Sequence, residues 1–145
     1  MTIISITISL GLPFFLLYSR KRKWYYPNIK RLIAIGMSCV GILGFLMSGT
    51  NDHRLFFYGL LTTPIFIIFD SLFKQLSFKT HNRDFYLWLR GSHEIDDSFS
   101  GIGTNKHVKL SDMIFSIALL ILIVGLCVFG AVLFGKDALY DKLIN

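Results

Sequence analysis

The chain has 145 residues, of which 53% are hydrophobic and 17% are charged, and its formal net charge is +6. Soluble domains carry about 25% charged residues. The charges here are clustered between long uncharged runs, which are typical of transmembrane helices. This composition excludes an ordinary soluble domain and predicts an all-α integral membrane protein.

Four apolar runs predict four transmembrane helices within a single membrane domain, 1–145. The runs lie at about residues 2–18, 32–48, 55–73 and 111–135. At a rise of about 1.5 Å per residue, runs of about 17 to 25 residues extend about 26 to 38 Å, against a hydrocarbon core of about 30 Å. We therefore expect each run to cross the membrane, although the first two are near the short limit. The first run lacks the basic start and cleavage site of a signal peptide, so we expect it to be retained.

The lysines and arginines between the runs predict an orientation. Six lie in residues 19–31, six lie in residues 74–110, and three lie elsewhere. Because basic residues favour the cytoplasmic side, we expect both basic connections to be cytoplasmic and both termini to be outside. We expect the host membrane to be a plasma or inner membrane.

The basic segment 19–31 also carries three adjacent aromatic residues, Trp24, Tyr25 and Tyr26. They lie just past an apolar run, where an interfacial aromatic belt is found, and the neighbouring basic residues attract anionic lipid headgroups. Basic residues mixed with aromatic ones also occur in nucleic-acid-binding proteins. No fold motif supports that alternative, so we expect membrane lipids, including anionic headgroups, and no nucleic acid.

Small residues in two of the runs predict helix contacts, because they let backbones approach closely in a membrane. They are Ala34, Ser38 and Gly41 in the second run, and Cys127, Ala131 and Gly135 at four-residue spacing in the fourth. These positions suit a compact bundle within one chain or the interface of a homo-oligomer. We favour the bundle.

The third run contains one charged residue, Asp70. An acidic residue in a membrane span is by default a functional candidate, for example for an ion or proton. Lys74 follows one helical turn later, so an i,i+4 ion pair near the cytoplasmic end is the alternative, and we favour it. Asp112, near the start of the fourth run, is expected to stabilise a helix N-terminus.

The cytoplasmic loop 74–110 is predicted to carry a short interfacial helix. Asn82 can serve as the N-cap of a helix that starts at Arg83, which places Phe85, Trp88 and Leu89 on one face. We expect this amphipathic helix to lie along the membrane surface, with Trp88 at the depth of the headgroups. The alternating pattern FYLWL also allows a strand, but the chain offers no partner strand.

The stretch RGSHEIDD, residues 90–97, is the natural place to look for soluble chemistry. HEIDD lacks the second histidine of the zinc motif HExxH, and the EF-hand-like run that starts at Asp96 has His107 where a glutamate is needed. We therefore expect no metal, no cofactor and no catalytic group. We expect a partner-binding surface instead, and its candidate residues are Arg83, Arg90, His93, Glu94, Asp96 and Asp97.

Three classes of function remain. The one we favour is a non-catalytic membrane subunit or adaptor that docks a protein partner through the cytoplasmic loop. The alternative is a small channel or pore-forming effector that acts as a homo-oligomer, but a pore needs a polar stripe along a helix, and the runs supply few polar residues. A membrane-embedded enzyme is least favoured, because no set of catalytic groups converges in the spans.

Overall fold

A computed structural model of the chain describes residues 2–22, 26–89, 92, 94–95 and 107–144, with side chains described as far as Phe134. The helices are α1 (Thr2–Tyr18), α2 (Pro27–Met47), α3 (Asn51–His81) and α4 (Leu110–Ile144). Within the described ranges the chain contains no strand. The all-α class predicted from the sequence is confirmed.

Three of the helices are long and apolar enough to cross a membrane, namely Pro27–Met47, Asn51–His81 and the Leu110–Phe134 part of α4. Helix α1 is also apolar but has 17 residues, which extend about 26 Å, somewhat less than a hydrocarbon core of about 30 Å. Length and composition thus support a membrane protein and three of the four predicted spans.

Helix α2 begins five residues before the predicted run, and its first residue is Pro27. Proline suits this position because its ring fixes a helical φ and the first turn needs no N–H donor. The helix ends where the Ser48 hydroxyl donates to the Gly44 carbonyl at 2.6 Å. Of the α2 residues only Gly41 is buried, and large apolar side chains such as Leu32, Ile35 and Leu46 are exposed, as is typical of a helix that contacts lipid.

Helix α3 extends to His81, so residues 74–81, which the sequence placed in the loop, are helical. Asn82 adopts a φ of 54°, and its N–H donates to the Phe78 carbonyl at 2.9 Å. This is a left-handed residue that closes a helix C-terminus, a conformation that asparagine tolerates well. The predicted interfacial helix starting at Arg83 is therefore wrong, because Asn82 ends one helix instead of starting another, and residues 83–89 are not helical.

The chain divides into two compact units. The first unit consists of Met1–Ile67 with Leu122–Asn145, and the second unit is Ile68–Ile121. Helices α3 and α4 each contribute residues to both units, whereas α1 and α2 belong to the first unit alone.

In the first unit, α2 approaches α3 at two glycines. A Cβ atom on Gly41 would lie 2.6 Å from Leu61 Cδ2, and one on Gly44 would overlap the ring of Phe57. The two backbones can therefore come this close only because these positions lack side chains. Ala34 and Ser38, on the predicted small-residue face, are half-buried.

Helix α4 meets α3 in the first unit around Tyr58. The Tyr58 hydroxyl donates to the Leu126 carbonyl at 3.0 Å, and a Cβ atom on Gly130 would overlap the tyrosine ring. Of the predicted small residues in α4, Cys127 is buried and Ala131 is half-buried. The surroundings of Gly135 lie outside the described residues, and the contact made by Gly130 was not predicted.

Helix α1 meets α3 in the first unit through a polar contact. Thr62 Oγ1 donates to the Gly59 carbonyl at 2.8 Å and lies 3.2 Å from the Ser9 carbonyl. A Cβ atom on Gly59 would lie 3.1 Å from the Ser5 carbonyl oxygen. The hydroxyls of Ser9 and Thr63 are also buried, and neither has a hydrogen-bond partner among the described residues.

Candidate functional site

The segment 83–89, in the second unit, is held in place by alternating side chains. Phe85 and Leu87 are buried, whereas Tyr86 and Trp88 are half-buried. The Phe85 ring packs edge-on against Phe115 with centroids 5.5 Å apart. The alternation of FYLWL is thus a period-two pattern, and the predicted face shared by Phe85 and Trp88 is wrong because it assumed a helical period.

Side chains supply the hydrogen bonds that a partner strand would otherwise make. The N–H of Tyr86 donates to Asp112 Oδ1 at 3.3 Å, that of Leu87 to Glu94 Oε2 at 2.8 Å, and that of Trp88 to Ser116 Oγ at 2.9 Å. Three consecutive amides are therefore satisfied without a sheet, as semi-buried backbone donors must be. The sequence did not predict this, because the acceptors lie 7 to 28 residues further along the chain.

Asp112 is the centre of this arrangement. Its side chain is fully buried and accepts hydrogen bonds from Nη2 and Nη1 of Arg83, at 2.7 Å and 3.3 Å. Asp112 Oδ2 also accepts the backbone N–H of Lys109 at 2.8 Å. Asp112 is the third residue of α4 and Lys109 precedes the first, so this contact is half of a capping box. The helix-start role of Asp112 agrees with the sequence analysis, whereas its bidentate pairing with Arg83 was not predicted.

Arg83 links three parts of the second unit. Besides the pair with Asp112, its guanidinium donates to the carbonyls of Asp84 at 3.0 Å and His107 at 3.2 Å. Its charged carbon also lies 4.5 Å from the centroid of the Tyr86 ring, a favourable cation–π distance. Arg83 was predicted to contact a partner, and most of its donors are used within the chain.

Glu94 is likewise used within the chain. Its carboxylate accepts the Leu87 N–H, its own N–H donates to Ser92 Oγ at 3.1 Å, and its carbonyl lies 3.1 Å from His107 Nε2. The His107 ring packs edge-on against Tyr86 with centroids 4.8 Å apart. Arg83 and Glu94, two of the six candidate partner-binding residues, thus belong to one network around Tyr86.

The other four candidates, Arg90, His93, Asp96 and Asp97, lie outside the described residues. So do the predicted interfacial residues Trp24 and Tyr25, whereas Tyr26 precedes α2 and is exposed.

Asp70 is fully buried in α3. Lys74, its predicted ion-pair partner, lies 3.4 Å from Asp84 Oδ2 and stands over the Phe78 ring. The sequence did not predict the pair with Asp84, which lies ten residues after Lys74 and three residues beyond the end of α3. An ion or proton role for Asp70 stays a hypothesis.

Two basic side chains meet a serine at the ends of α3 and α4. His81 Nε2 lies 2.8 Å from Ser111 Oγ, and Lys109 Nζ lies 3.2 Å from His81 Nδ1. An ammonium group only donates, so Nδ1 is the acceptor and the ring proton is on Nε2. We call these three residues the basic junction, and no sequence motif indicated it.

In the part of the chain that the structure describes, no group of three or more His, Cys, Asp or Glu residues could hold a metal ion. Comparison with known proteins found no family model, no curated protein and no solved structure that matches this chain.

Proposed function

We propose that this protein is a non-catalytic membrane subunit or adaptor that docks a protein partner through the segment 83–97. The observation that carries the proposal is the fixed backbone of residues 86–88, whose three amides are bound by Asp112, Glu94 and Ser116. A backbone held this firmly loses little conformational entropy when a partner binds it, and such preorganisation favours affinity.

The side chains on this segment suit recognition. Arg83, Tyr86 and Trp88 each retain partial exposure, while Phe85 and Leu87 are buried beneath them. Tryptophan, tyrosine and arginine are the residue types that most often dominate binding energy at interfaces. The acidic residues Asp96 and Asp97, which follow in the sequence, would add charges that steer a basic partner.

The polar groups of the described network support docking better than catalysis. The carboxylate of Asp112 and that of Glu94 accept backbone or arginine donors. A general base or nucleophile must instead be within reach of a substrate. This is the reason that we prefer an adaptor to an enzyme.

A photo-crosslinking amino acid in place of Trp88, introduced in the native cell and activated in membranes isolated from that cell at low and at physiological salt, tests the docking proposal. We expect one dominant crosslinked protein, and we expect the double variant Asp96→Lys, Asp97→Lys to lower its yield several-fold, more strongly at low salt, because exposed charges are screened beyond about 8 Å at physiological ionic strength. Glu94→Gln removes one charge of the same segment while glutamine keeps an oxygen acceptor for the Leu87 N–H, so we expect a smaller loss of yield from it. A yield that stays at the wild-type value in the double variant contradicts docking through this segment.

The runner-up is a small pore or channel formed by a homo-oligomer. The buried hydroxyls of Ser9 and Thr63, which have no hydrogen-bond partner in the described part of the chain, favour it, because unpaired polar groups inside a membrane bundle are costly and often functional. Reconstitution into liposomes separates the two proposals. Conductance that changes in Thr63→Val or Asp70→Asn, together with an unaffected crosslink in the charge variants, would favour the pore.

We also propose that both termini are outside, that the 74–110 connection is cytoplasmic, and that the membrane is a plasma or inner membrane. The uneven distribution of lysine and arginine supports this orientation. Contact of the 19–31 segment with anionic lipid headgroups is part of the same proposal, whereas a homo-oligomer belongs to the runner-up.

Compartment-sensitive reporters fused after Asn145 and inserted at Gly101 test the orientation. We expect the Asn145 fusion to report the outer compartment and the Gly101 insertion to report the cytoplasm, because twelve of the fifteen basic residues lie in the two connections assigned to the cytoplasm. A cytoplasmic signal from the Asn145 fusion would contradict the proposed orientation.

A further inference from the structure

We infer that the basic junction, formed by His81, Lys109 and Ser111, binds the phosphate of an anionic phospholipid. This inference is independent of the proposed docking function, because it concerns other residues and a ligand of another class.

The charge of the basic junction is the first observation. Lys109 is exposed, and its ammonium contacts the neutral nitrogen of His81. The neighbouring ion pairs, Arg83 with Asp112 and Lys74 with Asp84, each balance their own charges. In the described part of the chain the Lys109 ammonium has no carboxylate partner, so the junction carries a net positive charge.

The available donors are the second observation. The Lys109 ammonium has three N–H donors and uses one on His81 Nδ1. His81 then donates from Nε2 to the oxygen of Ser111, which leaves the Ser111 O–H able to donate elsewhere. Two ammonium donors and one hydroxyl donor therefore remain at the junction, and phosphate oxygens accept from donors of both kinds.

The apolar surroundings point to a lipid as the source of the phosphate. Leu110 and Ile114 on α4 are 71% and 55% exposed, and Leu76 and Phe78 on α3 are 49% and 45% exposed. The contact between His81 and Ser111 shows that both helices have their polar ends here, so these apolar residues lead away from the junction into the two candidate spans. A ligand with a phosphate at one end and acyl chains at the other fits this combination.

The test measures lipid retention by the detergent-purified protein. Native mass spectrometry counts bound lipids from micelles that contain either phosphatidylglycerol or phosphatidylcholine. We expect the wild type to retain more phosphatidylglycerol, and we expect Lys109→Gln to weaken its retention about fivefold, which corresponds to about 1 kcal/mol for one basic residue at a lipid surface. Lys109→Arg keeps the charge and is expected to restore most of the binding.

Lys79→Gln is the matched control. Lys79 is an exposed lysine in the same helix as His81, but residues two apart on a helix do not share a face. Thermal unfolding of each variant shows whether the fold is intact. We expect Lys109→Gln to fold normally, because the backbone N–H that residue 109 donates to Asp112 is kept.

Three results would overturn the inference. Equal retention of the two lipids by the wild type excludes a preference for anionic headgroups. An equal loss in Lys79→Gln and Lys109→Gln indicates diffuse surface charge instead of a site. Displacement of phosphatidylglycerol by excess inorganic phosphate indicates a free-phosphate site instead of a lipid site.

Discussion

Replacement of Arg83 by methionine is expected to lower the free energy of unfolding of the second unit by about 3 kcal/mol. The Asp112 side chain is fully buried and the Arg83 side chain is 26% exposed. Removing one partner of such a pair leaves a buried, uncompensated carboxylate, which is what makes broken buried pairs costly. Denaturant titration in mild detergent measures the difference in the free energy of unfolding between Arg83→Met and the wild type.

Hydrogen exchange locates the effect. The amide of Tyr86 donates to Asp112, so we expect its protection to fall most strongly in Arg83→Met, together with that of Trp88 two residues later. Protection within α2 should be unchanged, because that helix belongs to the first unit.

Two further variants make the Arg83→Met result interpretable. Lys74→Met breaks the Lys74–Asp84 pair, whose side chains are 45% and 23% exposed, and is expected to cost no more than about 1 kcal/mol. The double variant Arg83→Met, Asp112→Leu removes both charges and should recover part of the loss. If Arg83→Met is no more destabilising than Lys74→Met, the buried pair does not hold this segment.

Replacement of Gly44 by leucine is expected to lower the stability of the first unit by about 1 to 3 kcal/mol, as overpacking does. Even a Cβ atom at this position would overlap the Phe57 ring. The ring cannot simply turn away at no cost, since it already packs edge-on against Phe56 with centroids 5.4 Å apart. Unfolding in mixed micelles of a mild and a denaturing detergent measures the free energy of unfolding of Gly44→Leu and of the wild type.

Gly36→Leu is the control for this substitution. It makes the same change in the same helix, but a Cβ atom on Gly36 has no neighbour within 4 Å, so we expect little effect. The double variant Gly44→Leu, Phe57→Ala should recover space at the contact and with it part of the stability. Equal effects at Gly36 and Gly44 would contradict the close approach of α2 and α3.

The sequence predicts the helices well where their own residues determine them. Apolar composition identified the class, and α1 has the predicted bounds of residues 2 and 18. The start of α2 at Pro27 was missed because the prediction followed hydropathy, and the basic first turn of α2 is helical although it is not apolar. The end of α3 was missed for the same reason, since residues 74–81 are mostly polar but continue the helix to His81.

The network around residues 83–89 could be predicted only in part. Asparagine serves equally as a helix start and, in the left-handed conformation, as a helix end, so Asn82 was assigned the wrong role. The alternation of FYLWL is visible in the sequence, but the acceptors of its backbone N–H groups are side chains. The described residues contain no strand that could pair with it. Arg83 and Asp112 are 29 residues apart, and local patterns do not indicate which of several charges will pair at such a separation.

The three bound amides of residues 86–88 also restrict how another protein can recognise this segment. An extended segment with unpaired backbone N–H groups is a template on which a second chain can add a strand, and such unpaired groups also promote aggregation. Here the consecutive donors of Tyr86, Leu87 and Trp88 are all occupied. These three amides are therefore not free to pair with an added strand, and a partner has to recognise this segment by its side chains.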